Sequence, residues 1–484
     1  MSVTFPLVVE IPYTDWPKGV PAFAALPWFM FFDSALEEPD LGRYSFLIAD
    51  PFERWLLPSG ASPELARETF RRVIEGTRLF RQGSRPDLPP FQGGAAGLWS
   101  YELNRAFEDV PAARSDDLQT PLLGVGLYDV VLAIDHKWRR AWLISQGFPE
   151  TEPKKRLGRA RERIGFFLEQ LKRFDEDSLN VVEEKHTSTF RLMGQFATPA
   201  TFATGCHELT SNFSEEAYLD AVSRAIEYIR GGDVFQVNLS QRLALPARES
   251  SLSLYGRLRK WNPAPFSGYC DLKEWQILSS SPERFFRVRN RKVETRPIKG
   301  TRRRTHNPNH DGQTRKELLH SEKDRAENVM ITDLLRNDLS RVCLPESVHV
   351  ASLCHLETYE TVFHLVSVIE GNLRDNYDAF DLLEAAFPGG SITGAPKIRA
   401  MEIIAELEPH VRGAYCGSLG YVGFSGDADF NILIRTLTVA RGWWVFSVGG
   451  GILATSRPED EYAETWHKAE GLLRAVRAAG APSH

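Results

Sequence analysis

The segment from Ser214 to Arg242 constrains the fold more than any other part of the sequence. Ser214 is followed by two glutamates and can cap the amino end of a helix, and the glycine pair at 231–232 can end that helix. Its apolar stripe consists of Val222, Ile226 and Ile229. Residues 234–242 then alternate between apolar and polar side chains with period two, which is typical of a strand. The segment therefore predicts a helix that leads directly into a strand.

The predicted strand has one polar face, which either contacts solvent or lines a cavity. Its apolar face consists of Phe235, Val237 and Leu239, and its polar face of Gln236, Asn238, Ser240 and Arg242. A polar face on a strand usually meets solvent, but it can also line a ligand cavity. Both interpretations stay open from this segment alone.

The whole chain divides into three parts by its patterns. Residues 1–145 contain short apolar runs broken by turns and predict a layer of strands; one run, 127–134, is apolar apart from one aspartate and predicts a single buried strand. Residues 146–212 predict a connecting helix over 152–173 and then a polar linker. Residues 213–484 have the clearest motifs and are expected to form the catalytic portion.

Composition and charge exclude several classes of protein. The 484 residues are 42% hydrophobic and 25% charged, with a formal net charge of −6, which indicates a globular protein with a small substrate rather than a nucleic-acid surface. The sequence has no run of about eighteen apolar residues and no signal-peptide pattern. The five cysteines lack the spacing of a zinc site or a disulfide framework. We therefore predict a cytoplasmic protein that neither spans a membrane nor binds nucleic acid.

The run 294–301 contains one lysine between a proline and a glycine. The proline restricts the chain, and the glycine lets a ligand approach the backbone closely. In a strand, Lys299 and Thr301 would share a face, and the nearby Arg296 and Arg302–Arg304 would lower the lysine pKa if the site is desolvated. A lysine with a lowered pKa can act as a nucleophile. The alternative is that Lys299 is a solvated cation in a basic loop.

Two later segments each have a pair of acids on a predicted helix. The pairs are Asp324 with Glu327 and Glu461 with Glu464, and their i, i+3 spacing points both carboxylates of a pair the same way. If the two helices face each other, these carboxylates are hard oxygen ligands of the kind that Mg²⁺ prefers beside an anionic substrate. The alternative for each pair is a solvated helix face, where Lys468 would form an ordinary ion pair with Glu464.

Two glycine-rich stretches and one further acid complete the candidates. The loop 387–399 runs into a helix predicted to begin near Pro396, and main-chain amides at such a helix start can bind an anion. Because its spacing fails the phosphate-loop pattern, a carboxylate is the expected anion. The glycines at 449–451 offer a second set of amides, or a close-packed turn. Glu283 follows a predicted strand and is either a general acid or a turn residue.

Together these motifs resemble the chorismate-utilising enzymes, the family of anthranilate, aminodeoxychorismate, isochorismate and salicylate synthases. The resemblance is dense from 214 to 477 and looser over 29–145. The motifs that resemble the family are Gly232–Arg242, Ser280–Arg284, Pro297–Thr301, Glu327–Leu339, Gly390–Lys397, Ile434–Thr436 and Gly449–Ile452. The resemblance implies an α/β fold of the α+β type, with large, mainly antiparallel sheets flanked by helices and with the N- and C-terminal portions wound together.

Within that family, the residue at position 299 distinguishes two activities. Anthranilate synthases usually have Pro-Ile-Ala-Gly-Thr here and aminodeoxychorismate synthases Pro-Ile-Lys-Gly-Thr, and this chain has the lysine. Members that add water have a general-base lysine where this chain has Gln236, so isochorismate and salicylate formation are not expected. The resemblance implies amination of chorismate at C4. Lys299 would add at C2 while Glu283 protonates the leaving hydroxyl, and ammonia would then displace the lysine.

The resemblance also assigns the remaining site residues. It implies Mg²⁺ bound by Glu327 and Glu464, with Glu461 nearby and with Asp324 where relatives often have glutamate. The residues implied for the enolpyruvyl carboxylate of chorismate are Tyr415, Arg435, Gly449 and Gly451. Those that would complete the pocket are Gln236, Gly300, Thr301, His364, Ser391 and Lys468.

The ammonia is expected to come from a separate protein. A glutamine amidotransferase needs a nucleophilic cysteine in a G-x-C-x-G elbow, which this sequence lacks, so the resemblance implies an amidotransferase subunit as partner. The segments 32–35 and 262–266 fall where relatives bind tryptophan, with ordinary packed turns as the alternative. Anthranilate synthesis and a non-catalytic paralogue that binds chorismate or tryptophan stay as alternative functions.

Overall fold

The computed structural model describes residues 5–13, 16–36, 41–173, 202–206, 208–359 and 362–477. The helices in these ranges are α1 (Trp16–Ala24), α2 (Pro63–Leu79), α3 (Pro153–Arg173), α4 (Glu215–Arg230), α5 (Ser251–Trp261), α6 (Pro308–His320), α7 (Glu322–Ser340), α8 (Ala379–Ala386), α9 (Lys397–Leu407) and α10 (Pro458–Arg477). Short 3₁₀ helices are Tyr101–Ala106, Pro345–Ser347 and Gly390–Ile392.

The strands belong to two sheets. In chain order they are β1 (Leu7–Ile11), β2 (Met30–Asp33), β3 (Tyr44–Ile48), β4 (Glu53–Leu57), β5 (Gly94–Trp99), β6 (Leu123–Tyr128), β7 (Val130–Asp135), β8 (Arg140–Ser145), β9 (Phe202–Ala203), β10 (Thr210–Ser211), β11 (Gln236–Pro246), β12 (Phe266–Asp271), β13 (Trp275–Ser281), β14 (Arg284–Arg289), β15 (Lys292–Thr295), β16 (Ile298–Arg303), β17 (His349–Thr358), β18 (Val362–Asn372), β19 (Gly394–Ala395), β20 (Ser418–Gly423), β21 (Ala428–Asn431), β22 (Thr436–Ala440) and β23 (Trp443–Ile452). The 13-stranded sheet has the order β1-β8-β7-β3-β2-β12-β13-β22-β23-β11-β10-β9, with β19 also paired to β11. The 10-stranded sheet has the order β16-β18-β15-β14-β21-β20-β5-β6-β4, with β17 also paired to β18.

The two ends of the chain are wound together in both sheets, as expected. In the larger sheet, β2 pairs antiparallel with β12, and in the smaller sheet β5 pairs antiparallel with β20. The sheets meet across an apolar core to which the larger contributes Met30 and Phe46 and the smaller contributes Leu98 and Tyr421. The rings of Phe46 and Tyr421 are 5.7 Å apart and edge to face. The expected mainly antiparallel α+β architecture is therefore confirmed.

The helix and strand predicted between Ser214 and Arg242 are present as α4 and β11. The Ser214 side chain accepts a hydrogen bond from the Ala217 amide, and Gly231 caps the other end of the helix. The prediction that Phe235 belongs to the apolar face of the strand was wrong. Phe235 precedes the first paired residue of β11 and is 71% exposed. The polar face, by contrast, is largely buried, since Gln236, Ser240 and Arg242 are each at most 5% exposed. This favours the cavity interpretation of that face.

The single strand predicted for 127–134 is two strands in different sheets. The chain leaves the smaller sheet after Tyr128 and enters the larger one at Val130. Asp129 lies between them, fully buried, with a carboxylate oxygen 3.3 Å from Arg163 of α3. Because both strands are buried on both faces, the apolar pattern does not change where the chain crosses. None of the described helices is both long and apolar enough to cross a membrane.

The predicted helix over 152–173 is present as α3, and most of the predicted linker lies outside the described residues. The division of the chain at 145 and 212 stays a prediction.

Candidate active site

Lys299 lies in a bulge of β16 rather than in a regular strand. The pairing of β16 with β18 shifts register between Ile298 and Thr301, so Lys299 and Gly300 form the irregular part. Gly300 has φ of 82°, and a Cβ there would lie 2.9 Å from the Leu318 Cδ1 atom, so a larger residue would be strained and crowded. The bulge directs the Lys299 amine to the main-chain oxygen of Ser391, 3.0 Å away.

Burial, rather than the neighbouring arginines, lowers the pKa of Lys299. Desolvation disfavours the ammonium form, and Lys468 adds to the effect, while Glu327 and Glu283 oppose it. The arginines point to other partners: the ion pairs are Arg302 with Asp324, Arg303 with Glu470 and Arg304 with Asp311. The predicted direction of the shift agrees with the structure, but the predicted cause was wrong.

Glu283 is the second titratable group beside Ser391. It follows β13, is 6% exposed, and its main-chain amide donates to the Ser281 hydroxyl. Burial raises the pKa of Glu283 to about 7, although a hydrogen bond with the Ser391 side chain and the charge of Lys299 both act to lower it. At neutral pH this carboxyl can therefore both give and take a proton.

The two acid pairs reach the site from α7 and α10. Burial raises the pKa of Glu327 and of Glu461. Burial acts in the same direction on Glu464 and is the largest single effect there, but Lys468, at 2.7 Å, together with Lys323 and Lys299 outweighs it, and the pKa of Glu464 is lowered. A Cβ on Gly450 would lie 3.1 Å from Glu464 and 3.3 Å from Glu461, so this glycine leaves room for both carboxylates beside β23.

The chemistry of these carboxylates fits a hard divalent cation. Glu464 is among the charges that raise the pKa of both Glu327 and Glu461, and a cation would relieve this mutual repulsion. Asp324 differs, because Arg302 already donates to it over 2.9 Å. Among the residues that the structure describes, no three His, Cys, Asp or Glu side chains gather closely enough to hold a metal by themselves. Water and substrate oxygens would have to complete such a site, as is usual for Mg²⁺.

A further arginine of the candidate site, Arg435, lies close enough to His364 to affect its titration. Burial lowers the pKa of Arg435, and within the described ranges its guanidinium forms no ion pair. Burial, helped by Arg435, lowers the pKa of His364 to about 3, so the imidazole is neutral; its Nδ1 is 2.8 Å from the Thr301 hydroxyl. Burial also raises the pKa of Tyr415. A desolvated arginine beside neutral polar groups suits an incoming carboxylate.

Gln236 of β11 lies against the glycines of β23. Asn238 and Ser240 of β11 face Gly451 and Gly449 of β23. A Cβ on Gly451 would lie 1.9 Å from the Gln236 amide nitrogen, so only glycine fits there. Gln236 is fully buried, and neither polar atom of its amide has a hydrogen-bond partner in the described part of the protein. A buried amide without partners is costly, and a polar ligand would satisfy it.

The structure thus brings Lys299 and Glu283 into contact with Ser391. It brings Glu461 and Glu464 next to Gly450, and Lys468 donates to the Gly449 oxygen over 2.8 Å. The roles of these residues stay predictions. Sequence reasoning missed Asn238 as a site residue, although its position on the polar face of β11 was a signal. Its side-chain amide donates to the Ser391 oxygen over 3.2 Å.

A separate cavity of about 270 Å³ lies where the resemblance suggested tryptophan. Both predicted segments contribute to its lining, the first through Phe32–Ser34 and the second through Pro265 and Phe266. The carboxylate of Asp33 already accepts hydrogen bonds from Tyr255 and Arg259. The two segments are therefore neighbours in space, while tryptophan binding stays a prediction.

Comparison with known proteins shows the family to which the chain belongs. Residues 36–474 match the family described as chorismate binding enzyme. The chain is 37% identical to aminodeoxychorismate synthase component 1 of Salmonella typhimurium, over 98% of this chain and 99% of that protein. It is 43% identical to anthranilate synthase component 1 of Thermus thermophilus, over 86% of this chain and 84% of that protein.

A solved structure extends the similarity to the fold. The crystal structure of anthranilate synthase component I from Streptococcus pneumoniae superposes with a TM-score of 0.73 at 28% identity, covering 90% of this chain and 93% of the other. The family match at 36–474 includes every candidate active-site residue from Gln236 to Lys468. This chain is therefore a member of the chorismate binding enzyme family.

Proposed function

We propose that this chain aminates chorismate at C4 and is the synthase subunit of an aminodeoxychorismate synthase. The observation that supports this is the amine of Lys299, whose pKa is lowered by burial, beside Glu283, whose pKa is raised by burial to about 7. A neutral amine can attack carbon, and a carboxyl with this pKa can hold a proton near neutral pH. Together they supply a nucleophile and a general acid.

The proposed reaction consists of two substitutions. The electron pair of the Lys299 amine forms a bond to C2 of chorismate, both ring double bonds shift by one position, and the C4–O bond breaks as Glu283 gives its proton to the departing hydroxyl. Ammonia then bonds to C4, both double bonds shift back, and the C2–N bond to Lys299 breaks. The surplus proton of the added ammonia returns to Glu283. Chorismate and ammonia thus yield 4-amino-4-deoxychorismate and water, without oxidation or reduction.

The other residues would hold the two carboxylates of chorismate. Arg435 has a planar fork that suits the enolpyruvyl carboxylate, with the amides of Gly449 and Gly451 nearby. Mg²⁺, held by Glu327 and Glu464 with Glu461 beside them, would supply positive charge to the ring carboxylate. Asp324 is the least supported metal ligand of the four because Arg302 already pairs with it.

The ammonia source would be a glutamine amidotransferase subunit. Four of the five cysteines are buried, and none lies in the G-x-C-x-G elbow that a glutaminase needs. The relatives named above are each called component 1, which is consistent with a two-part enzyme. Free ammonium at high concentration should replace the partner in vitro.

Anthranilate synthesis is the second candidate, because the chain is 43% identical to a relative named for that reaction. The two reactions have different products, so one experiment separates them. The purified chain is incubated with chorismate, Mg²⁺ and ammonium, and the products are resolved by liquid chromatography and mass spectrometry.

We expect aminodeoxychorismate without release of pyruvate. Fluorescent anthranilate with equimolar pyruvate would overturn the proposal and support the second candidate. If chorismate binds but no nucleophile supports turnover, the chain is a non-catalytic paralogue instead. Lys299→Ala serves as the control for contaminating activity.

A further inference from the structure

A buried ion pair, Glu408 with Arg412, contacts the loop that contains Ser391. Arg412 donates from Nε and Nη2 to the two oxygens of Glu408 over 2.9 and 2.7 Å, and the side chains are 3% and 4% exposed. Glu408 directly follows Leu407, the last residue of α9, and Arg412 lies four residues after Glu408 in the sequence. Burying both charges is costly unless their remaining hydrogen-bonding capacity is satisfied.

The other hydrogen bonds of this pair are made mainly to main-chain groups around the candidate active site. Arg412 donates from Nη1 to the Ile392 oxygen over 2.9 Å and from Nη2 to the Asn238 oxygen over 3.0 Å. Glu408 accepts from both the amide and the hydroxyl of Ser240, over 2.9 and 2.8 Å. The pair therefore ties β11 to the 3₁₀ turn at 390–392.

The same contacts continue to the proposed nucleophile. The Asn238 side chain donates to the Ser391 oxygen over 3.2 Å, and the Asn238 amide donates to the Thr393 oxygen over 2.7 Å. The Ser391 oxygen also accepts from the Lys299 amine over 3.0 Å. One uninterrupted set of hydrogen bonds thus joins Arg412, Asn238, Ser391 and Lys299.

We propose that Glu408 and Arg412 are a positioning pair that fixes the Ser391 carbonyl and thereby aims the amine of Lys299. The inference rests on the proposed role of Lys299 as nucleophile. A lysine side chain has four rotatable bonds, so its reach is decided by the acceptor that holds its end. A shift of about 1 Å in that acceptor would misalign the amine and slow the reaction by about 100-fold.

Arg412 also lines a second cavity, of about 210 Å³. Tyr101 and Met401 line this cavity together with Glu408, and the Arg412 guanidinium lies 4.8 Å from the centre of the Tyr101 ring. In Arg412→Ala, the space left by the guanidinium would join this cavity. A free guanidinium ion of the same shape and charge could then occupy the vacated position against Glu408.

The test compares Arg412→Lys with a matched control, Arg163→Lys. Arg163 is 11% exposed and donates to both a carboxylate and the main-chain oxygen of Asp50, but it lies on α3. We measure kcat and KM for chorismate disappearance with ammonium, and hydrogen exchange of the peptide 388–396. We expect Arg412→Lys to lower kcat by about 10- to 100-fold with KM changed less than about threefold, and to accelerate exchange in this peptide. Arg163→Lys should leave both measurements close to those of the wild type.

Two further variants keep the inference testable if Arg412→Lys folds poorly. Asn238→Ala removes the side-chain link to Ser391 while leaving the main-chain contact with Arg412, and should lower kcat to a similar degree. The double variant should lose little more than either single one, because both act through the same carbonyl. Added guanidinium should restore kcat of Arg412→Ala by at least about tenfold, without helping Lys299→Ala.

Wild-type kcat and unchanged exchange at 388–396 in Arg412→Lys would overturn the inference, as would fully multiplicative effects in the double variant. Chorismate disappearance is measured whichever product forms. If the wild type makes anthranilate, the proposed function fails, and the exchange and guanidinium results still decide the role of the positioning pair.

Discussion

Glu283 and Lys299 shift the pKa of each other in opposite directions, and both interact with Ser391. Each charge favours the ionised form of the other, yet burial outweighs this attraction for both groups. The acid is therefore protonated more readily and the amine deprotonated more readily than in water. A neutral acid beside a neutral amine is the pairing that the proposed reaction needs at its start.

Lys299→Ala should abolish amination of chorismate, with kcat lowered by at least about 10³-fold, because no other amine is held by the Ser391 oxygen in the described structure. The wild type incubated with chorismate and Mg²⁺, without ammonia or borohydride, should form a covalent adduct visible by intact mass. The variant should form none. An undiminished adduct in Lys299→Ala would exclude this lysine as the nucleophile.

Activity should fall as the pH rises through about 7, because Glu283 then loses the proton that, in the proposed reaction, it would give to the leaving hydroxyl. Glu283→Gln should lower kcat by about 100-fold or more and remove this alkaline limb. The measurement is a pH profile of kcat in the two proteins. A limb of the same midpoint in Glu283→Gln would assign the titration to another group.

The same carboxyl should also make folding stability depend on pH. Its folded pKa of about 7 lies above its ordinary value of 4.5, so the folded state holds the proton more tightly. The stability from this group is fully present below about pH 4.5 and is lost as the pH rises to about 7. Glu283→Gln cannot ionise, so its melting temperature relative to the wild type should rise across this window; a constant difference would contradict the raised pKa.

Gly300→Ala should destabilise the bulge that holds Lys299. An alanine at φ of 82° costs about 1–2 kcal/mol, and its Cβ would also lie 3.0 Å from the Asp324 Cβ and 2.9 Å from Leu318. Gly232→Ala is the matched control, because φ is 86° there and nothing lies within 4 Å of the added Cβ. Denaturant unfolding should show a larger loss for Gly300→Ala, together with a fall in kcat that the control lacks. Equal effects would show that only backbone strain matters.

Gln236→Leu should separate stability from substrate binding. Because neither polar atom of the buried amide is paired within the described structure, replacing it by an apolar group of similar size should cost little stability or increase it. If the amide contacts chorismate, KM should rise by about tenfold, corresponding to about 1.4 kcal/mol. Thermal unfolding and steady-state kinetics test the two halves; an unchanged KM would remove Gln236 from the substrate site.

Removal of divalent metal should reduce activity to background, and Mg²⁺ should restore it. Glu327→Gln and Glu464→Gln should raise the Mg²⁺ concentration for half-maximal activity by about tenfold or more, since each would remove one of the proposed anionic ligands. Glu75→Gln is the control, because that side chain is 68% exposed on α2. Full activity in the presence of a strong chelator would refute the metal requirement.

Local patterns in the sequence were sufficient for several parts of this site. The cap at Ser214 and the alternation through β11 depend on backbone conformation and side-chain periodicity over a few residues, so they could be predicted. The i, i+3 spacing likewise predicted that Glu461 and Glu464 point together, and both lie against Gly450. The mainly antiparallel fold followed from the family resemblance.

Only the tertiary structure decided which groups are removed from water. The pKa of Lys299 is lowered chiefly by burial, and the arginines near it in sequence pair with distant acids such as Asp324 and Glu470. The crossing between sheets at Asp129 and the link from Arg412 to Lys299 also depend on strands far apart in the chain. The physical reason is that hydrogen-bond geometry and helix periodicity are local, whereas desolvation is set by whatever distant segments pack against a side chain.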